Sequence, residues 1–157
     1  MRPITASDLM NPEVLTVRED LPVRDLASFL IENEISGAPV ADAEGRLVGV
    51  VSLVDIAAVA SGEKHRLSRD GSAFFVDDWG DGFDEEDVEE LSLSQEGLRV
   101  AEIMNPKIYS VTEDATVSEI ASLMLKGHIH RLLVTREDRA VGILTTSDLL
   151  GLLVGDD

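Results

Sequence analysis

Thr145-Thr146-Ser147-Asp148 brings hydroxyls and a carboxylate together directly behind the apolar stretch Gly142-Ile143-Leu144. At a strand-to-helix junction such a cluster has a definite use. The free N–H groups of a helix's first turn favour anions, hydroxyls bond phosphate, and a carboxylate accepts from both hydroxyls of a ribose. Gly49-Val50-Val51-Ser52-Leu53-Val54-Asp55 carries the same pattern earlier in the chain, with Val54 in the place of Ser147. Glycine in either stretch lets a backbone or a ligand approach closely. The spacings Ser52-x-x-Asp55 and Thr145-x-x-Asp148 are equally those of plain capping boxes. Ser147 favours the ligand reading, because a cap needs no second hydroxyl.

A second island is Gly127-His128-Ile129-His130-Arg131, leading into Leu132-Leu133-Val134. Arg offers a planar fork for phosphate, and a protonated His can donate. The bland alternative is a solvated turn at a helix end, where basic residues suit the macrodipole. The earlier copy has Ser36-Gly37 there, followed by Ala38-Pro39-Val40, without charge.

Thirteen basic and 31 acidic residues leave a net charge of −18. Such a surface repels phosphate backbones and anionic lipid, so nucleic acid and membrane are not expected partners. The chain has no cysteine, no HExxH and no P-loop pattern, and its three histidines join no recognisable Ser-His-Asp set. It is therefore expected to be no enzyme by itself and to hold no metal. An EF-hand read around Gly82 fails, because Trp79 and Val88 fall on ligand positions. The N-terminus has no apolar signal core, and no apolar run is long enough to span a bilayer, so a cytoplasmic location is expected.

The elements that must position these residues come in two copies. Met10-Asn11-Pro12 recurs as Met104-Asn105-Pro106, an offset of 94 that also pairs Val17 with Val111, Val23 with Val117, Ala27-Ser28 with Ala121-Ser122 and Val40 with Val134. After a loss of one residue in a turn, Gly49 pairs with Gly142 and Asp55 with Asp148. Each copy predicts a short strand (Val14 to Val17; Ile108 to Val111), then an amphipathic helix. The helix stripes are Val23, Leu26, Ala27, Leu30, Ile31 and Val117, Ile120, Ala121, Met124, Leu125. Pro22 opens the first helix and a Thr116–Glu119 capping box the second. Two strands follow (Ala38 to Ala41 and Leu47 to Ser52; Arg131 to Thr135 and Ala140 to Leu144), then a closing helix (Leu53 to Ala60; Thr146 to Val154). The expected fold is α/β (α+β), two tandem β-α-β-β-α repeats related by an intramolecular pseudo-twofold that buries the leftover apolar faces.

The predicted division is a first repeat over residues 1–60, an insert over 61–98 and a second repeat over 99–157. The insert holds 12 acids and 3 bases, net −9, half of the whole charge. Phe74, Phe75, Trp79 and Phe83 lie in it. It reads either as a solvated, partly disordered loop or as a docking segment with these four as apolar anchors.

The Met-x-Pro openings, the Gly-x-Pro-Val strand of the first copy and the two Gly-h-h-Ser/Thr-x-x-Asp closes together resemble the CBS (cystathionine-β-synthase-type) domain, whose tandem pairs are called Bateman modules. The resemblance covers most of residues 6–60 and 99–153. It implies a regulatory module with clefts between the repeats that bind AMP, ADP, ATP or S-adenosylmethionine. It also implies a homodimer and an unidentified regulated protein. An adenine nucleotide would be the regulatory ligand, with no cofactor required. Carried onto this chain, Asp148 would hold ribose hydroxyls, with Thr145 and Ser147 near ribose or phosphate. His130 and Arg131 would neutralise phosphate. Ile129, Leu132 and Leu133 would border the base, with the backbone of Tyr109, Ser110 and Val111. The first copy would offer a weaker site from Thr16, Gly37, Ala38, Pro39, Ser52 and Asp55. The alternative is a ligand-free dimerisation scaffold that docks partners through the acidic insert.

Overall fold

The computed structural model describes residues 3–61, 73–76 and 97–154. They group into two units that do not follow the sequence repeats. The N-unit is Leu15–Ile108; the C-unit joins Met1–Val14 to Tyr109–Asp157. The opening segment of each repeat is thus grouped with the other repeat's sheet.

In the N-unit, β1 (Val17–Arg18) runs parallel to β2 (Gly37–Ala41), which is antiparallel to β3 (Leu47–Ser52). Between β1 and β2 lies α2 (Val23–Glu32), whose Val23, Leu26, Ala27 and Leu30 form the buried stripe that the spacing predicts. These residues pack with Val17, Ala38, Val40, Val51 and Ile56 in one core. Burial of each larger side chain contributes about 1.5–3 kcal/mol. The closing helix, α3 (Leu53–Ser61), leaves β3 directly.

The C-unit repeats this plan with β4 (Ser110–Thr112), α6 (Val117–Gly127), β5 (Arg131–Arg136), β6 (Arg139–Thr145) and α7 (Thr146–Val154). Strand β4 is parallel to β5, and β5 antiparallel to β6. Both sheets carry a register shift at the same place, Val40/Ala41 and Val134/Thr135. Thr116 caps α6, its hydroxyl accepting from Glu119 N–H at 3.2 Å while Glu119 accepts from Thr116 N–H at 2.8 Å. Both long helices end on a left-handed residue, Glu34 and His128, each with φ 54°. The following N–H then closes the helix, Ile35 onto the Leu30 carbonyl and Ile129 onto that of Met124, both at 3.0 Å.

Two one-turn helices that the periodicity did not predict dock the exchanged segments. In the C-unit, α1 (Ala6–Leu9) is held by Ala6 N–H on the Ala115 carbonyl at 2.9 Å. In the N-unit, α5 (Val100–Ile103) is held by Val100 N–H on the Leu21 carbonyl at 2.9 Å. Thr5–Thr116 and Arg99–Pro22 are the matching bridges. The first strands also start later than expected: β1 begins at Val17 and not Val14, because Val14 N–H turns back onto the Pro12 carbonyl and Val14 belongs to the other unit.

The Met-Asn-Pro openings explain two glycines. A Cβ on Gly49 would lie 2.8 Å from both the Asn105 carbonyl oxygen and Met104 Sδ, and one on Gly142 would overlap Met10. Asn105 and Val50 exchange N–H···O bonds of 2.8 and 2.9 Å; Asn11 and Ile143 exchange bonds of 2.9 and 3.0 Å. The close approach foreseen at these glycines is therefore made by the chain itself.

Candidate functional site

The site in the C-unit rests on one strand pair. Arg131 opens β5 and stands opposite Thr145, the last residue of β6. The next N–H, that of Thr146, donates to the His130 carbonyl at 3.1 Å. These two contacts tie the basic corner to the hydroxyl–carboxylate turn. Asp148 folds back in the first turn of α7, and its Oδ2 accepts from Thr145 N–H at 2.8 Å and from Thr145 Oγ1 at 3.2 Å. Asp148 Oδ1 accepts no hydrogen bond from the described residues. The capping reading is thus realised, and it engages one of the two carboxylate oxygens.

Arg131, Thr145 and Asp148 are half-buried, while His130 and Ser147 are exposed. A half-buried carboxylate and guanidinium beside exposed polar tips can meet a ligand without first breaking a core. His128 takes the helix-ending position, so the bland reading of the basic island applies to it. Ile129, Leu132 and Leu133 are at most 2% exposed and form the core beneath the corner. Ser110 and Val111 lie half-buried on β4, paired with Leu133 and Val134. Tyr109 accepts from Leu133 N–H at 3.1 Å, and its ring lies beside Gly127.

The N-unit holds the same scaffold in a sealed form. Gly37 stands opposite Ser52, and Leu53 N–H donates to the Ser36 carbonyl at 3.0 Å. Asp55 Oδ2 accepts from Ser52 N–H at 2.8 Å and Ser52 Oγ at 3.2 Å, and Ser52 Oγ accepts from Asp55 N–H at 3.3 Å. Ser52 is 0% exposed and Asp55 4%. Ala38 and Pro39 are buried in β2, whereas Thr16 is exposed ahead of β1. The cover is α4 (Ala73–Val76), which packs on β3. Its Phe74 and Phe75 are each 1% exposed, their rings edge to face at 86° with centroids 5.0 Å apart. A Cβ on Gly37 would lie 2.9 Å from Phe74 Cδ1 and 3.3 Å from Ser52 Cβ.

Sequence reasoning offered Phe74 and Phe75 as parts of a solvated loop or as anchors for a partner. They are instead core residues of their own unit. The signal was available: two adjacent phenylalanines in an acidic stretch, and a glycine in the first copy where the second has Arg131. Trp79, Phe83 and the other residues of 62–72 and 77–96 lie outside the described residues.

An ion pair forms at the far end of β5 from Arg131. The Arg136 side chain bonds Glu113 at 2.7 and 2.8 Å and holds its carboxyl below the ordinary value. Among the described residues, no group of three or more His, Cys, Asp or Glu is placed to hold a metal ion, and no helix is long and apolar enough to cross a membrane.

Two sheets of this topology, each closed by a strand–turn–helix with Ser/Thr and Asp, define a tandem repeat protein of mixed α/β class. The chain belongs to the CBS domain family, which matches residues 6–62 and 100–155. It is 30% identical to uncharacterized protein MJ1426 of Methanocaldococcus jannaschii over 94% of this chain and 89% of that protein. It is 31% identical to CBSX2, a chloroplastic CBS domain-containing protein of Arabidopsis thaliana, over 93% of this chain and 62% of that protein. The chain spans only 26% of another relative, the magnesium transporter MgtE of Thermus thermophilus. Among solved structures, the CBS domain of a membrane protein from Sphaerobacter thermophilus superposes with a TM-score of 0.69 at 30% identity, covering 96% of this chain and 88% of that one. CBSX2 in complex with AMP gives 0.67 at 24% identity, covering 97% of each. The CBS pair of MJ0100 with 5-methylthioadenosine and S-adenosylmethionine gives 0.66 at 23%, covering 99% of this chain and all (100%) of that one.

Proposed function

We propose that this chain is a regulatory module that binds an adenosine compound at the β6–α7 junction of the C-unit. Asp148 holds the ribose hydroxyls, Thr145 and Ser147 lie near ribose or phosphate, and Arg131 with His130 neutralises phosphate. The observation that carries this is the pairing of Arg131 with Thr145, reinforced by the Thr146–His130 hydrogen bond. It sets a cation and a hydroxyl–carboxylate turn side by side in a chain of net charge −18. AMP bound to the relative CBSX2 supports the ligand class. In this reading the module catalyses nothing and acts on a partner protein by binding its ligand more tightly in one arrangement than in another. The exposed Leu125, Leu150, Leu153 and Val154 are its candidate contacts in a homodimer.

Thermal melting with AMP, ADP, ATP and S-adenosylmethionine tests the proposal. At about 100 times its dissociation constant a ligand stabilises by roughly 2.7 kcal/mol. The expected result is an upward shift with at least one of the four that Asp148→Ala diminishes. No shift with any of them would leave the scaffold reading standing.

A further inference from the structure

The N-unit counterpart of the proposed site is filled from within the chain. Gly37 holds the register position of Arg131, opposite Ser52 as Arg131 is opposite Thr145. A Cβ placed on Gly37 would meet the Val51 carbonyl oxygen at 2.8 Å and Phe74 Cδ1 at 2.9 Å. A flat apolar ring therefore lies beside the register position that carries Arg131 in the other unit. Beneath it, Ser52 and Asp55 keep the hydrogen bonds of the equivalent turn but are shut off from solvent.

We propose that the Phe74–Phe75 pair is an internal ligand of the N-unit junction that holds the site closed in the intact chain, and that removing it opens a site for an uncharged adenine nucleoside. The ligand class follows from the lining. The junction already accommodates a flat apolar ring, while Ser36-Gly37 supplies no cation for phosphate. The inference rests on reading the two junctions as equivalent ligand sites. The intact chain then binds at the C-unit alone.

The test compares the intact chain, Phe74→Ala/Phe75→Ala, and the same double variant with Asp55→Ala. Each is titrated with adenosine and with AMP, and amide hydrogen exchange is followed. In the double variant the Ser52 and Leu53 amides should exchange at least about tenfold faster, the equivalent of one 1.4 kcal/mol step. The double variant should also gain a further adenosine site that Asp55→Ala removes. Unchanged exchange at those amides would sink the idea. So would faster exchange without a new site, because the pair would then be ordinary core packing. Phe74→Ala alone keeps Phe75 in place and carries both readouts if the double variant does not fold. AMP binding to the intact chain, abolished by Asp148→Ala, reports on the C-unit separately. If that binding is present and the double variant gains nothing, this inference alone fails; if no form binds, both fail.

Discussion

The two strand-to-helix junctions share a backbone and differ in access. In both, a carboxylate three residues on accepts from the N–H and hydroxyl of the last strand residue, at 2.8 and 3.2 Å in each. The buried polar residues among those described, Ser52, Asp55 and Asn105, all belong to the N-unit. The C-unit leaves Thr145 and Asp148 half-buried and Ser147 exposed. The same two bonds to a carboxylate are therefore compatible with a sealed joint and with an open one. Two positions separate them, Val54 against Ser147 and Gly37 against Arg131, and the latter lies beside an aromatic ring in one unit and carries a charged side chain in the other.

The largest expected effect falls on the sealed joint. Phe74→Ala should destabilise by about 3–5 kcal/mol, whereas Leu153→Ala, at an 83% exposed position, should stay within about 0.5 kcal/mol. Urea unfolding measures both, and a small loss at Phe74 would break the distinction drawn between the junctions.

Next in size is the contrast between the two carboxylates. Asp148→Ala should weaken AMP binding by ~10–100-fold, about 1.5–3 kcal/mol, read by calorimetry. Asp55→Ala in the intact chain should leave AMP affinity unchanged while lowering stability by about 1–3 kcal/mol, because it strands buried Ser52 donors. Equal effects of the two on AMP affinity would erase the comparison.

Arg131→Gly copies the N-unit's Gly37 into the open site. It should cost about tenfold in AMP affinity and flatten its salt dependence, with adenosine affinity nearly unchanged. Equal losses for AMP and adenosine would move Arg131 from the phosphate to a structural role. Ser147→Val copies Val54 and should cost only a few-fold, about 0.5–1 kcal/mol.

The smallest effect concerns the exposed Glu113–Arg136 pair. The hydrogen bonds from Arg136 depress the Glu113 carboxyl below its ordinary 4.5. Its contribution is therefore present above pH 4.5 and lost as pH falls through the lowered value. Glu113→Gln should slightly flatten the melting temperature's fall below that pH, an effect screened by solvent.

Much of the fold was legible because it is local. The stripe Val23, Leu26, Ala27, Leu30 named a helix face, the Thr116–Glu119 box named a helix start, and the 94-residue offset gave one element order for both halves. The basic corner was legible as residue types; that Arg131 meets Thr145 follows once the two strands are paired as a hairpin. The one-turn helices α1 and α5 escaped because four residues carry no period.

The amino-acid order alone determined the duplication, the elements and the chemistry available at each junction, since these depend on neighbours a few positions apart. Only the tertiary structure decided which opening segment joins which sheet, and that Phe74 covers Ser52 while Ser147 stays open. Solvent access is set by contacts between residues tens of positions apart, and no short-range pattern encodes which of two like turns a distant aromatic pair will cover.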